Sequence, residues 1–164
     1  MTKMAICPIS MEVVNYKTLG LPEDLARKVT EPVCIIDGEP RAECGVLIQR
    51  AGTNYRGDIL IGIIGDKGAT GRKGQCVGLV ELYDVKPCRG LTQNDWHYAV
   101  IPAGVSRVEG FAWFVRNPRR VVELDVPVQK SLRTIGVPGG VTEYPVHLEI
   151  DADGWKEIQR KIRK

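Results

Sequence analysis

Basic and aromatic side chains are the groups in this sequence whose types and spacing could do chemistry. Five cations lie within two neighbouring turns in the first half of the chain: Arg50, Arg56, Lys67, Arg72 and Lys73. A second cationic group follows Trp113 and Phe114 and consists of Arg116, Arg119 and Arg120. Guanidinium groups bind phosphates in bidentate fashion, and aromatic rings offer a face on which an unpaired base can stack. This mixture predicts binding of single-stranded or flipped-out nucleic acid, with the cations of residues 65–74 guiding its backbone.

The same residues also have a purely structural interpretation. A solvated loop would carry the cations of residues 65–74 equally well, and the sequence alone does not decide between the two. For Trp113, packing in the core is favoured over bordering a pocket, because large aromatic side chains are mostly buried. The net charge of +3 is modest, so it permits a phosphate-bearing partner without demanding one.

No catalytic set is evident in the sequence. No serine lies in a nucleophile-elbow context, and pairing of a cysteine with a histidine is neither supported nor excluded. Glu43, Glu81 and Asp84 could meet in space, although an acid near a strand end is more often solvated. The two histidines, His97 and His147, lie far apart and have no second ligand at metal spacing. The glycine-rich segment 65–74 lacks the spacing of a P-loop, and we predict neither a metal nor a cofactor.

Length and composition predict one globular domain spanning residues 1–164. No stretch approaches the roughly 18 consecutive apolar residues of a membrane helix, and the N-terminal apolar run is too short for a secretory signal. Five cysteines without a Cys-x-x-Cys pair fit buried, reduced thiols better than disulfides. We therefore expect a cytoplasmic protein with no membrane partner, in an oligomeric state that the sequence leaves open.

The cationic turn at Arg50–Asp58 runs directly into an apolar segment at 59–64, which places charged groups at the lip of a buried strand. Upstream, Pro22 and two following acids predict the start of a helix that runs to Val29 or Thr30, with Pro32 just beyond. Further strands are predicted at 4–10, 33–36, 42–48, 58–64, 75–85, 111–115, 121–128 and 144–150.

Connections and termini complete this pattern. Residues 37–40 and 116–120 are predicted as turns, and residues 87–109 as a long excursion between strands. Residues 153–164 form a basic amphipathic pattern that indicates a C-terminal helix. About seven short strands with one or two peripheral helices predict a mainly β fold with α additions, arranged as a small β-barrel.

Four blocks of the sequence resemble those of ASCH domains, in the order that the family has them. The stretch Thr53-Asn54-Tyr55-Arg56-Gly57-Asp58-Ile59-Leu60-Ile61 is similar to the family's Thr-x-Tyr-Arg-Gly-x-hydrophobic run. The other blocks are Gly78–Val85, Phe111–Val115 and Asn117–Arg120. The resemblance covers roughly residues 33–138, flanked by an N-terminal strand and helix and a C-terminal strand and basic helix. It implies a PUA-like β-barrel, a fold associated with RNA and modified bases and, in some members, with hydrolysis of a modified nucleoside or cleavage of RNA.

The family's Gly-x-Lys-x-x-Glu-x-Arg signature is incomplete in this chain. In the nearest stretch Gly38 and Glu43 fit, but Pro40 stands at the lysine position and Gly45 at the arginine position. A gapless alignment from Thr53 also lacks the lysine. In hydrolytic relatives that lysine is the expected nucleophile or activating cation, and its absence favours recognition over catalysis.

Together the cations and the resemblance predict a module that binds RNA, another single-stranded nucleic acid or a modified nucleoside. Arg50 and Arg56 would contact a phosphate or a base edge, and Glu43 would orient a donor. Thr53 lies in the same wall of the pocket, which Tyr55 and Trp113 would border. A hydrolase acting on a modified nucleoside or on RNA is the first alternative, and a protein-interaction adaptor is the second.

Overall fold

The structure is a computed structural model that describes residues 12–36, 38–64, 74–93, 95, 99–100 and 110–145. Several predicted features lie outside these residues. They are the first strand at 4–10, the last strand beyond residue 145, the helix at 153–164, and the loop with Lys67, Arg72 and Lys73.

Strands dominate the described residues, which contain one α-helix. In chain order the elements are β1 (Val13–Leu21), α1 (Glu23–Thr30), β2 (Pro32–Ile36), β3 (Glu39–Ala42), β4 (Val46–Gln49), β5 (Gly57–Ile63), β6 (Gln75–Pro87), β7 (Ala99–Val100), β8 (Phe111–Asp125) and β9 (Arg133–Pro138). The predicted mainly β class with a helix is confirmed at this level. Within the described ranges, no helix is long and apolar enough to cross a membrane.

Seven strands form one sheet in the order β7-β4-β8-β6-β5-β1-β9, and the sheet curls into a half-barrel. Its centre is antiparallel, since β6 pairs with β5 on one side and with β8 on the other. β1 runs parallel to β5 and antiparallel to β9. β2 and β3 form a separate antiparallel hairpin, and β3 packs against β8. The hairpin therefore covers one part of the sheet.

The helix α1 forms where local signals in the sequence place it. Pro22 is the N-cap residue, and Glu23 and Asp24 lie in the first turn, where carboxylates interact favourably with the helix dipole. The buried side chains of Leu25 and Val29 pack into the main hydrophobic cluster together with residues of β1, β5, β6 and β8. The predicted helix is thereby confirmed.

β8 runs without interruption through a segment for which the sequence predicts a turn. Asn117 and Pro118 lie inside the strand, so the predicted turn at 116–120 is wrong. Asn117 has a φ of 53°, and the pairing of β8 with β6 shifts register nearby, as at a β-bulge. A bulge tolerates proline, which lacks the N–H of a regular ladder. Beyond the bulge Arg119 fixes the strand, because its guanidinium pairs with Asp58 at 2.7 Å.

The predicted strand at 42–48 is divided between β3 and β4. The intervening backbone contacts α1 and β8: the Cys44 N–H donates to the Lys28 carbonyl at 3.3 Å, and the Val115 N–H donates to the Gly45 carbonyl at 3.0 Å. These long-range bonds hold the chain away from a straight strand. Pro40 lies within β3 instead of in a turn, and β1 and β9 were not predicted at all.

Candidate functional site

The stretch Arg50–Asp58, predicted as a wall of the binding site, forms a network of hydrogen bonds within itself. The Tyr55 N–H donates to Thr53 Oγ1 at 3.1 Å. Arg56 Nη1 donates to the carbonyl oxygens of Thr53, at 3.1 Å, and Tyr55, at 2.8 Å. The Tyr55 hydroxyl donates to the Asp58 carbonyl at 2.8 Å. These side chains therefore hold the turn in the shape that leads into β5.

Tyr55 and Gly57 fit together closely in this turn. Gly57 has a φ of 131°, and a Cβ added there would lie 2.9 Å from the Tyr55 hydroxyl oxygen. Lys17 Nζ lies 5.6 Å from the centre of the Tyr55 ring. Burial, with a smaller effect of the Asp58 carboxylate, raises the pKa of Tyr55, so the phenol stays protonated as a hydrogen-bond donor.

Trp113 ties this turn to β8 from inside the core. Its side chain is 4% exposed and belongs to the main hydrophobic cluster. The indole N–H donates to the Ala51 carbonyl at 3.0 Å, which satisfies its one polar group. Core packing, the favoured interpretation of Trp113, is what the structure shows.

A cavity of about 380 Å³ lies elsewhere, between the β2–β3 hairpin, the end of α1 and strands β6 and β8. Its lining is Val29, Pro40, Arg41, Ala42, Cys44, Gly45, Val46, Val80, Tyr83, Asp95, Phe114, Val115, Arg116 and Pro118. The bulge of β8 contributes two of these residues, Arg116 and Pro118. The cavity thus depends on the irregular strand that the sequence did not predict.

The predicted site residues do not converge on this cavity. Thr53, Tyr55 and Arg56 are brought together, but on the turn that precedes β5 and outside the cavity lining. Arg50 is exposed on the same turn, and Glu43 is half-buried in the segment between β3 and β4, next to the cavity residue Cys44. Lys67, Arg72 and Lys73 lie outside the described residues.

Two aromatic rings of the cavity lining contact each other, and each also contacts a cation. The Arg116 guanidinium lies 4.7 Å from the centre of the Tyr83 ring. The Tyr83 and Phe114 rings are 6.3 Å apart at an angle of 56°. Lys86 Nζ lies 5.1 Å from the centre of the Phe114 ring. Because Tyr83 is 43% exposed, part of its surface is open to a further planar group.

Two guanidinium groups line the cavity, and each has a carboxylate partner. Arg116 donates through Nε and Nη2 to the two carboxylate oxygens of Glu81, at 3.1 and 3.2 Å. This bidentate pair raises the pKa of Arg116. Arg41 Nη2 lies 3.6 Å from Glu39 Oε2, and Arg41 Nε is closed off from solvent with no hydrogen-bond partner among the described residues. The Arg41 side chain is otherwise 43% exposed, so its terminal nitrogens can donate to an acceptor in the cavity.

The second predicted arginine group does not act as one patch. Arg119 pairs with Asp58 through both terminal nitrogens, at 2.7 and 3.2 Å. Arg120 donates to Glu31 at 2.8 Å and to the Val77 carbonyl at 3.1 Å. Only Arg116 of this group lines the cavity.

The described cysteines, Cys34, Cys44, Cys76 and Cys88, are buried, as predicted. Burial raises the pKa of Cys76 to about 12, so its thiol is protonated and a weak nucleophile at neutral pH. No group of three or more His, Cys, Asp or Glu side chains in the described part of the chain could hold a metal ion. The histidines, His97 and His147, are not among the described residues.

The sequence contained signals for the cavity that the prediction did not use. Tyr83 lies within the block Gly78–Val85, which was assigned to a strand and to the ASCH resemblance but not to the binding site. Arg41 lies next to Pro40, in the stretch compared with the incomplete signature. Only packing of the hairpin against β8 shows that these residues share a cavity. Comparisons of the chain with models of protein families and with curated proteins found no match.

Proposed function

We propose that this chain is a PUA-like module that binds single-stranded nucleic acid, either RNA or a strand that carries a modified base. In this proposal one unpaired base enters the cavity beside the β2–β3 hairpin. The observation that carries it is the Tyr83 ring, which borders the cavity, is partly exposed and lies under the Arg116 guanidinium. Stacking on such a ring is sequence-tolerant, because every base has a π face.

The size and chemistry of the cavity agree with a ligand of this kind. Its volume of about 380 Å³ lies at the small end of the range of roughly 300–1,000 Å³ for ligand sites. Val80, Val115 and Phe114 supply apolar walls, and the partly exposed Arg41 side chain supplies hydrogen-bond donors. A base presents flat apolar faces and acceptors at its edge, which matches both features.

Other elements would hold the nucleic-acid backbone. Arg50 and Lys86 are exposed near the ends of strands, and Lys67, Arg72 and Lys73 are proposed to extend this set. The resemblance to ASCH domains supports the same class of ligand, and the buried cysteines support a reducing compartment such as the cytoplasm.

Binding of a labelled single-stranded RNA and of the matching DNA, followed by fluorescence anisotropy, tests the proposal. Tyr83→Ala is expected to weaken binding by about 5- to 100-fold, because a stacked base contributes roughly 1–3 kcal/mol. Tyr144→Ala is the matched control, because Tyr144 is 48% exposed and lies outside the cavity. Affinity should also fall as salt is raised, owing to phosphate contacts outside the cavity.

Two results would contradict the proposal. One is the absence of binding to either nucleic acid at low salt. The other is an equal loss of affinity in Tyr83→Ala and Tyr144→Ala, which would show that binding does not depend on the cavity. Circular dichroism of both variants shows whether each retains the fold.

A further inference from the structure

The charges around the cavity are balanced by carboxylates. The cations are Arg41, Arg116 and Lys86. Glu39 and Glu81 pair with the two arginines. Asp84 and Asp95 lie in the same region, where their charges oppose ionisation of the Tyr83 phenol. The Asp95 carboxylate accepts a hydrogen bond from the Thr92 N–H at 3.0 Å. The described part of this region therefore has no excess of positive charge.

An anion would have to compete for the donors that these carboxylates occupy. Glu81 uses Nε and Nη2 of Arg116 together, which is the geometry in which a guanidinium would also bind a phosphate. A phosphate in the cavity would displace Glu81 and leave that carboxylate unpaired beside the new negative charge. The same charge would repel Asp84 and Asp95, so phosphate gains little by entering.

An uncharged ring meets no such competition. It can stack beside Tyr83 without breaking the Glu81–Arg116 pair, because that pair uses the edge of the guanidinium, one face of which lies against the Tyr83 ring. The Arg41 side chain is 43% exposed, so its terminal nitrogens can donate to a carbonyl oxygen or ring nitrogen beside the Glu39 pair.

We propose that Glu81 and Glu39 are specificity-determining residues, which neutralise the two cavity arginines so that the cavity accepts an uncharged base and excludes phosphate. This inference rests on the proposed function and adds that the base and the phosphates of a bound strand contact different parts of the protein. Phosphates of a bound strand lie outside the cavity, and the base inside it contributes affinity that salt does not weaken.

Calorimetric titration with ribonucleosides, their 5′-monophosphates and inorganic phosphate tests the inference. With the natural chain, we expect the tightest-binding nucleoside to keep its affinity within about twofold when salt rises from about 50 to 300 mM. Inorganic phosphate at about 10 mM should neither bind nor compete, because both described guanidinium groups of the lining have a carboxylate partner.

The Glu39→Gln/Glu81→Gln double variant should reverse this preference. Both arginines then lose their counter-charge, and inorganic phosphate and the monophosphates should bind at least about 10-fold more tightly than to the natural chain. Glu12→Gln is the control, because it makes the same type of substitution, with loss of one carboxylate, at an exposed residue outside the cavity lining. It should leave all affinities unchanged.

Phosphate binding by the natural chain would overturn the inference, as would a double variant that gains no affinity for phosphate. A natural chain that binds no nucleoside would contradict the proposed function instead. The phosphate titrations would still decide the role of Glu39 and Glu81, since they need no nucleoside. Thermal unfolding of the double variant shows whether it is folded.

Discussion

At the scale of single residues, polar side chains in this chain serve structure at one place and carry recognition chemistry at another. Tyr55 and Arg56 donate to backbone carbonyls of their own turn, whereas Arg41 and Tyr83 line a cavity. The difference lies in what each donor already contacts. A guanidinium that bonds to carbonyls next to it in the chain stabilises a turn, and one that retains a donor near a cavity can bind a ligand.

Tyr55→Phe tests the structural role of the turn. The variant loses the hydrogen bond from the hydroxyl to the Asp58 carbonyl, so the free energy of unfolding should fall by about 0.5–1.5 kcal/mol. Affinity for single-stranded RNA should not change, because Tyr55 lies outside the cavity lining. Urea denaturation measures the first quantity and anisotropy the second.

Tyr16→Phe provides a matched comparison for this variant. The Tyr16 hydroxyl also bonds to backbone, accepting from the Val141 N–H at 3.0 Å, and its removal should cost a similar amount of stability. A large loss of RNA affinity in Tyr55→Phe alone would show that the turn at Arg50–Asp58 belongs to the binding site.

At the scale of elements, helices and strands that depend on local sequence signals were predicted well. Those that depend on contacts between residues distant in sequence were not. The helix α1 was predicted because Pro22 and the acids after it act within one turn of chain. β5 and β6 were predicted because their apolar runs are long. β1 was missed because its first residues are exposed and Gly20 interrupts its buried end.

The bulge in β8 shows why the rest could not be predicted. Asn117 and Pro118 are turn-forming residues, and a local pattern reads them as the end of a strand. Their strand is maintained by partners distant in sequence, including the pair of Arg119 with Asp58. Sequence spacing carries no information about such pairs, and the cavity that the bulge lines could therefore not be predicted.

Substitution of Asn117 tests the bulge. Its φ of 53° lies in the left-handed region, which a β-branched residue occupies at a cost of about 1–2 kcal/mol. Asn117→Val should therefore lower the free energy of unfolding by about that amount, and Asn117→Gly should be neutral or slightly stabilising. Thermal and urea unfolding provide the measurement.

Asn54→Val is the control, because Asn54 is exposed and its φ is not positive. It should change stability by less than about 0.5 kcal/mol. Equal effects of Asn54→Val and Asn117→Val would show that the left-handed backbone at Asn117 does not matter.

At the scale of the whole molecule, the fold separates two surfaces that the sequence predicted as one site. The turn at Arg50–Asp58 leads into β5, whereas the cavity lies at the hairpin, on the side of the sheet where β3 packs against β8. Of the stretch compared with the family signature at residues 38–45, Pro40, Arg41, Ala42, Cys44 and Gly45 line the cavity, and Glu43 lies beside them rather than in the lining. The sequence thus indicated one wall of the cavity and could not supply the other, because Tyr83 and Arg116 reach it only through sheet pairing.

The most direct test of this account is the structure of the chain bound to a short single-stranded RNA. We predict one base in the cavity, stacked beside Tyr83, with an acceptor atom of the base hydrogen-bonded to Arg41. The phosphates should lie outside the cavity, with the Glu81–Arg116 and Glu39–Arg41 pairs intact. A base or phosphate held at Arg56 and Tyr55, with the cavity empty, would contradict the account and favour the turn before β5 as the binding site.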